Sequence, residues 1–154
     1  MKVSLNNAEQ KLAVYLGRSR FQNARSRGIP NMKMGPQSNE QTDIEGAAAE
    51  IAYCKLMNIY PDTEITAVLP NEDAIARCGW GIDVKSTRYP FGRLLAVCSK
   101  AGKAPDCYAL MIGTFPEYRF AGHMTSAELL KSERLTNLGH GEGYAAHQKE
   151  LDKP

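Results

Sequence analysis

The chain has 154 residues, 43% of them hydrophobic and 23% charged, a balance that excludes wholesale disorder and makes a single domain the expectation. No apolar run approaches the roughly 20 residues that span a bilayer, so no membrane partner is expected. The formal net charge is only +2, yet residues 1–40 carry seven Lys and Arg against two Glu, which leaves a −3 body behind a +5 section. Such an asymmetry points to a nucleic-acid partner.

Residues 1–7 lack the apolar stretch of a secretory signal. Cys54, Cys78, Cys98 and Cys107 stand singly, without a C-x-x-C pair or finger-like histidines, so neither a zinc finger nor a disulfide framework is indicated. Both features set the cytoplasm as the expected compartment, that of the host if the chain is phage-encoded.

The first predicted element is a helix over 7–27, capped by Asn6 or Asn7, with Leu12, Tyr15, Leu16, Ser19 and Asn23 near one face. Its second half carries Arg18, Arg20, Arg25 and Arg27 around Phe21, and Gly28 and Pro30 end it. These arginines are the candidate phosphate contacts. Residues 28–41 read as loop. A second helix is predicted from the capping-box pattern of Thr42 and Glu45 to Met57. It is rich in alanine, and therefore suited to burial against a sheet. Strand periodicity follows over 65–69, 74–78, 81–87, 94–99, 108–115 and 118–124. A second capping-box pattern, Thr125 to Glu128, opens a short helix to about 133. The remainder, 135–154, is polar and carries three glycines, which predicts a surface tail. The order defines an α+β chain with a central sheet.

Chemistry concentrates in Gly81-Ile82-Asp83-Val84-Lys85-Ser86-Thr87. Alternate strand residues share a face, so Asp83 and Lys85 point together, about 6–7 Å apart, while Ile82 and Val84 point into a core. A carboxylate and an amine on an otherwise apolar strand are costly to bury unpaired, which makes this a candidate site. Mg²⁺ takes oxygen ligands and binds through one or two carboxylates. A lysine beside the metal can orient or deprotonate a water. Asp73, ahead of the preceding strand, is the natural second carboxylate, with the neighbouring Glu72 as the alternative. Glu50, an isolated charge in the alanine-rich helix, needs a partner and is a third candidate. Arg88 flanks the site strand and is a further candidate phosphate contact.

An acid followed after a gap by Asp-x-Lys on a strand resembles the PD-(D/E)xK nuclease superfamily. The segment Gly46-Ala47-Ala48-Ala49-Glu50-Ile51-Ala52 resembles its G-x-x-G-E-x-A helix, with Ala49 in place of the second glycine. Residues 81–87 resemble its G-x-D-V-K-T/S-T strand. The likeness covers roughly 42–132, and the naming Pro-Asp is absent at Asp73. It implies a restriction-endonuclease-like core, a central mixed β-sheet flanked by helices, with the basic helix and loop of 1–41 as an extension. It further implies a Mg²⁺-dependent endonuclease, with Mn²⁺ as substitute, acting on DNA in phage DNA processing or repair. Asp73, Asp83, Lys85 and Glu50 would be catalytic, and Asp73, Asp83 and the Val84 carbonyl would hold the metal. Many members dimerise to cut both strands, so a homodimer is a further expectation. The competing reading is a non-catalytic DNA- or protein-binding module on the same fold.

Overall fold

In the computed structural model, which describes residues 1–29, 38–65, 72–98, 104–139 and 141–153, the chain enters through a strand that sequence periodicity does not predict. This strand, β1 (Lys2–Ser4), leads into helix α1 (Asn7–Ser26). Asn6 caps α1 by accepting from the Ala8 and Glu9 amides, and Glu9 reaches back to the Asn6 amide, completing a capping box. Helix α1 buries Ala13, Leu16 and Gly17, whereas Tyr15 is exposed. Leu16 and the partly buried Leu12 of the expected face meet the core, and of its apolar residues only Tyr15 points outward.

Helix α2 (Asn39–Met57) starts three residues earlier than Thr42. Ser38 caps it, accepting from the Gln41 amide, and Thr42 instead donates its hydroxyl to the Ser38 carbonyl. Helices α1 and α2 cross closely at Gly17, where a Cβ would stand 2.5 Å from the Ile44 Cα. Helix α2 buries Ile44, Ala47, Ala48, Ala49 and Ile51 through Cys54, and Asn58 closes it in a left-handed conformation.

The strands are β2 (Ala74–Ile75), β3 (Gly81–Thr87), β4 (Leu94–Val97), β5 (Cys107–Thr114), β6 (Glu117–Thr125), β7 (Leu135–Asn137) and β8 (Glu142–Ala146). A five-stranded sheet has the order β1-β6-β5-β3-β2, parallel only between β3 and β5, and a second sheet has the order β4-β8-β7. Strand β2 keeps only two of the five residues predicted for it, because the chain turns back at Ala76 to Trp80. The strand predicted over 65–69 falls, apart from Ile65, outside the described residues. After α3 (Ser126–Leu129), capped by Thr125, the predicted surface tail instead supplies β7, β8 and the buried Ala146 and Leu151.

Each face of the five-stranded sheet carries a core. Under α1 and α2 lie Ile82, Val84, Ala109, Met111 and Phe120 with the alanines of α2. On the other face Tyr108, Leu110, Ile112 and Ala121 pack against Leu94, Ala96, Leu129, Ala146 and Leu151. The class is α+β with a mixed sheet, and helix α1 belongs to the first core rather than standing apart from it.

Candidate active site

The site forms where β2 ends. Strand β2 pairs only with Gly81 and Ile82 of β3, so the β3 edge from Asp83 onward lies beyond its reach. Asp73 takes over there: its amide donates to the Ile82 carbonyl at 2.8 Å, and its Oδ2 accepts the Val84 amide at 2.7 Å. In an extended strand the N–H and C=O of one residue point to the same side, so the Val84 carbonyl emerges on the Asp73 edge. Glu72 does not compete for this place. Its side chain lies over Gly81, within 3.2–3.5 Å of where a Cβ would stand.

Asp83 is 2% exposed, and its Oδ1 is 2.5 Å from Lys85 Nζ. Both occupy alternate positions of β3, opposite Tyr108 and Leu110 of β5. A buried carboxylate this close to an amine gains a charge-assisted contact that offsets its desolvation.

From above, α2 supplies Glu50 and α1 supplies the residue that holds it. Arg20 Nη1 donates to Glu50 Oε2 at 2.6 Å, and Nη2 donates to the Asp62 carbonyl at 3.1 Å. Both side chains are 16% exposed. Burial raises the Glu50 pKa, Arg20 opposes the rise, and the nearby Asp83 charge adds to it. Burial works against the Arg20 charge, but attraction to Glu50, with Asp62 and Asp73 behind it, more than offsets this and raises its pKa. Asp73 lies well above the usual carboxylate range. Burial is the main cause and the charges of Glu50 and Asp83 add to it, against the lowering effects of Lys85 and the Val84 amide. Burial and the mutual repulsion of Glu50, Asp73 and Asp83 thus raise the Asp73 and Glu50 pKa values, against the opposing charges of Lys85 and Arg20.

The other candidates are placed less centrally. Arg88 pairs with Glu45 at 3.1 Å, and Glu45, well inside a helix that Ser38 caps, is not a capping residue. Arg18 pairs with Glu40 at 3.2 Å, Arg25 lies 5.4 Å over the Phe21 ring, and Arg27 is exposed at the end of α1. Arg20 is the one α1 arginine of the four that turns into the cluster. Sequence reasoning did not assign it to Glu50, although its spacing from Ala13, Leu16 and Gly17 puts it on the buried stripe.

Among the described residues, no three His, Cys, Asp or Glu side chains converge as a ready-made metal site. What the β3 edge offers is an all-oxygen set: the Asp73 and Asp83 carboxylates with the Val84 carbonyl. That set suits a small hard cation, which commonly takes one or two carboxylates and completes its shell with water. Like-charge crowding on Asp73 is also the imbalance that a divalent cation relieves. No family model, curated protein or solved structure matches the chain. Among the described residues no helix is long and apolar enough to cross a membrane.

Proposed function

We propose that the chain is a Mg²⁺-dependent endonuclease that hydrolyses DNA phosphodiester bonds, built on a restriction-endonuclease-like core and serving phage DNA processing or repair. The observation that carries this reading is the close Asp83–Lys85 pair on β3 beside Asp73, whose carboxylate accepts the Val84 amide on the same strand, with the buried Glu50–Arg20 pair near enough for its charge to bear on Asp73.

Asp73, Asp83 and the Val84 carbonyl are the groups that would hold the cation. When bound, it would lower the pKa of water and offset charge developing on the phosphate oxygens. The remaining steps fall to the chain itself. Lys85, fixed against Asp83, presents its other N–H donors to the attacking water or to the phosphate oxygen it approaches. Glu50, fixed by Arg20, offers a carboxylate oxygen as acceptor for the proton that water loses as its oxygen bonds to phosphorus and the P–O bond to the leaving sugar breaks. Burial around Asp83 strengthens these contacts by excluding water. Arg18, Arg25, Arg27 and Arg88 supply positive charge for the flanking phosphates, with Arg27 the most freely presented.

Incubation with supercoiled plasmid tests the proposal. Nicking or linearisation should require Mg²⁺ or Mn²⁺ and disappear in EDTA, in Asp83→Asn and in Lys85→Ala, with circular dichroism showing both variants folded. Undiminished cutting by both variants would sink the mechanism. Salt-dependent DNA binding without metal-dependent cutting would favour a non-catalytic binding module.

A further inference from the structure

The turn between β3 and β4 carries a feature that the proposed chemistry does not use. Phe91 at its tip is 94% exposed and Tyr89 is 56% exposed. Exposed aromatics are unremarkable on a loose loop, but this turn is pinned. Gln148 Nε2 donates to the Pro90 carbonyl at 2.9 Å and to the Gly92 carbonyl at 2.8 Å. Arg119 Nη2 donates to the same Pro90 carbonyl at 3.0 Å and to Gln148 Oε1 at 2.8 Å. The Gly92 amide closes the turn on the Tyr89 carbonyl at 2.9 Å, and a Cβ at Gly92 would strike Thr87. Side chains from β6 and from the C-terminal segment, 29 to 58 residues away in sequence, are therefore committed to holding two aromatic rings out in solvent.

The turn itself carries positive charge: from Ser86 to Arg93 there is no acidic residue, and Arg93 and Arg88, the latter paired with Glu45 of α2 at 3.1 Å, bracket the aromatics. The turn also continues the strand that carries Asp83 and Lys85. Tyr89 lies four residues beyond Lys85, within about 13 Å along an extended chain. That is the span of a few nucleotides. An aromatic ring projecting from a cationic, preorganised turn beside a phosphodiester site fits the π-face of a nucleobase.

We propose that Phe91, supported by Tyr89, is a base-stacking platform for an unstacked base next to the scissile phosphate. Single-stranded or locally unpaired DNA is then preferred over perfectly paired duplex. A ring on a tight turn reaches a base face only where the base has left its stack, because paired duplex shows the protein only base edges and backbone. This inference rests on the nuclease reading for its DNA ligand, but its test does not depend on cutting.

The experiment uses the full chain in EDTA with a fluorescein-labelled single strand and the matching duplex, and a second single strand carrying 2-aminopurine. Wild type should bind the single strand more tightly than the duplex and quench the 2-aminopurine by stacking. Phe91→Ala should weaken single-strand binding about 5- to 150-fold, the range of one lost base stack, and abolish the quench. Tyr89→Ala should have a smaller effect, and Gln148→Ala, which frees the turn but leaves both rings, should lose part of the affinity. Since Phe91 is exposed, its truncation leaves the fold intact, which matching thermal melts would show. Affinity and quenching unchanged in Phe91→Ala would overturn the proposal. So would equal loss on paired duplex, which would mark a wedge between paired steps, or loss of self-association instead of DNA binding, which would mark a contact between copies. Cutting by wild type with Phe91→Ala fully active and fully binding would reject the platform and keep the nuclease. A Phe91-dependent quench without cutting would do the reverse.

Discussion

Replacing Arg20 with alanine isolates the link between the basic helix and the acidic cluster. The guanidinium is 2.6 Å from Glu50, and both side chains are 16% exposed, so its loss strands a carboxylate that water reaches poorly. Removing one member of a buried pair costs about 3–5 kcal/mol, and the residual exposure places this pair near the lower end, at about 3 kcal/mol. For a domain of this size that is a fall in Tm of about 6–12 °C at pH 7.5. The deficit should depend on pH with a definite sign. Glu50 already has a raised pKa in the folded chain, through burial and the charge of Asp83. A carboxyl whose folded pKa exceeds its unfolded value gains stability as pH falls through the folded pKa and loses it as pH rises. Without Arg20 the folded pKa climbs further, so the stranded group is protonated at a higher pH. Each unit of that added shift returns about 1.4 kcal/mol under acidic conditions. Urea unfolding in EDTA at pH 5, 6 and 7.5 should show the Arg20→Ala penalty shrinking as pH falls. Glu50→Gln should remove most of both the penalty and its pH dependence when combined with Arg20→Ala. A penalty below about 0.5 kcal/mol, or one that neither pH nor Glu50→Gln alters, would refute the reasoning.

The two helices make a paired prediction about glycine. Gly17→Ala places a Cβ 2.5 Å from the Ile44 backbone and should cost about 2 kcal/mol or more, whereas Gly46→Ala meets nothing within 4 Å and should stabilise α2 by about 0.5–1 kcal/mol in denaturant titrations. The cysteines should divide two and two in a thiol titration under native conditions. Cys78 and Cys98 are exposed and should react promptly, while burial pushes Cys54 up to about 12 and Cys107 up to about 11, so those two should react only on unfolding. His123 contacts the Tyr53 hydroxyl at 2.8 Å, and burial lowers its pKa against the opposing charge of Asp152. The folded chain then binds fewer protons than the unfolded one, so stability is full above the ordinary histidine range and declines as pH falls through about 6.5 towards the lowered value. Subtracting the unfolding curves of His123→Gln from those of wild type between pH 5 and 8 should expose that slope, and a flat difference would contradict it.

The site strand was the most legible part of the chain because its signal is local. Alternation over 81–87 separates Ile82 and Val84 from Asp83 and Lys85 without reference to anything distant, and β3 occupies that range. The choice between Asp73 and Glu72 was not legible, since it turns on which side chain meets the Val84 amide once β2 has ended. Strands β1, β7 and β8 run three, three and five residues and exist through partners far along the chain, which no local period reveals. The Thr42 and Glu45 spacing matched a capping box by chance. Ser38 caps the helix, and Glu45, one turn further in, is taken by Arg88.

Charge was the least transferable signal. A count of +5 over residues 1–40 treats every arginine as facing outward, but a helix has a period, and Arg20 follows Ala13, Leu16 and Gly17 on the side that packs on α2. A cation on that side cannot serve phosphate while it neutralises Glu50, so the basic section contributes both to the inside and to the outside of the site. The consequence is structural coupling: the crossing at Gly17 and Ile44 sets the height of α1 over α2, and with it whether Arg20 reaches Glu50. A change at Gly17 should therefore disturb the acidic cluster as well as the packing, although no atom of Gly17 touches a carboxylate. Residues 1–26 are better understood as one wall of the candidate site than as an arm attached to a minimal nuclease core.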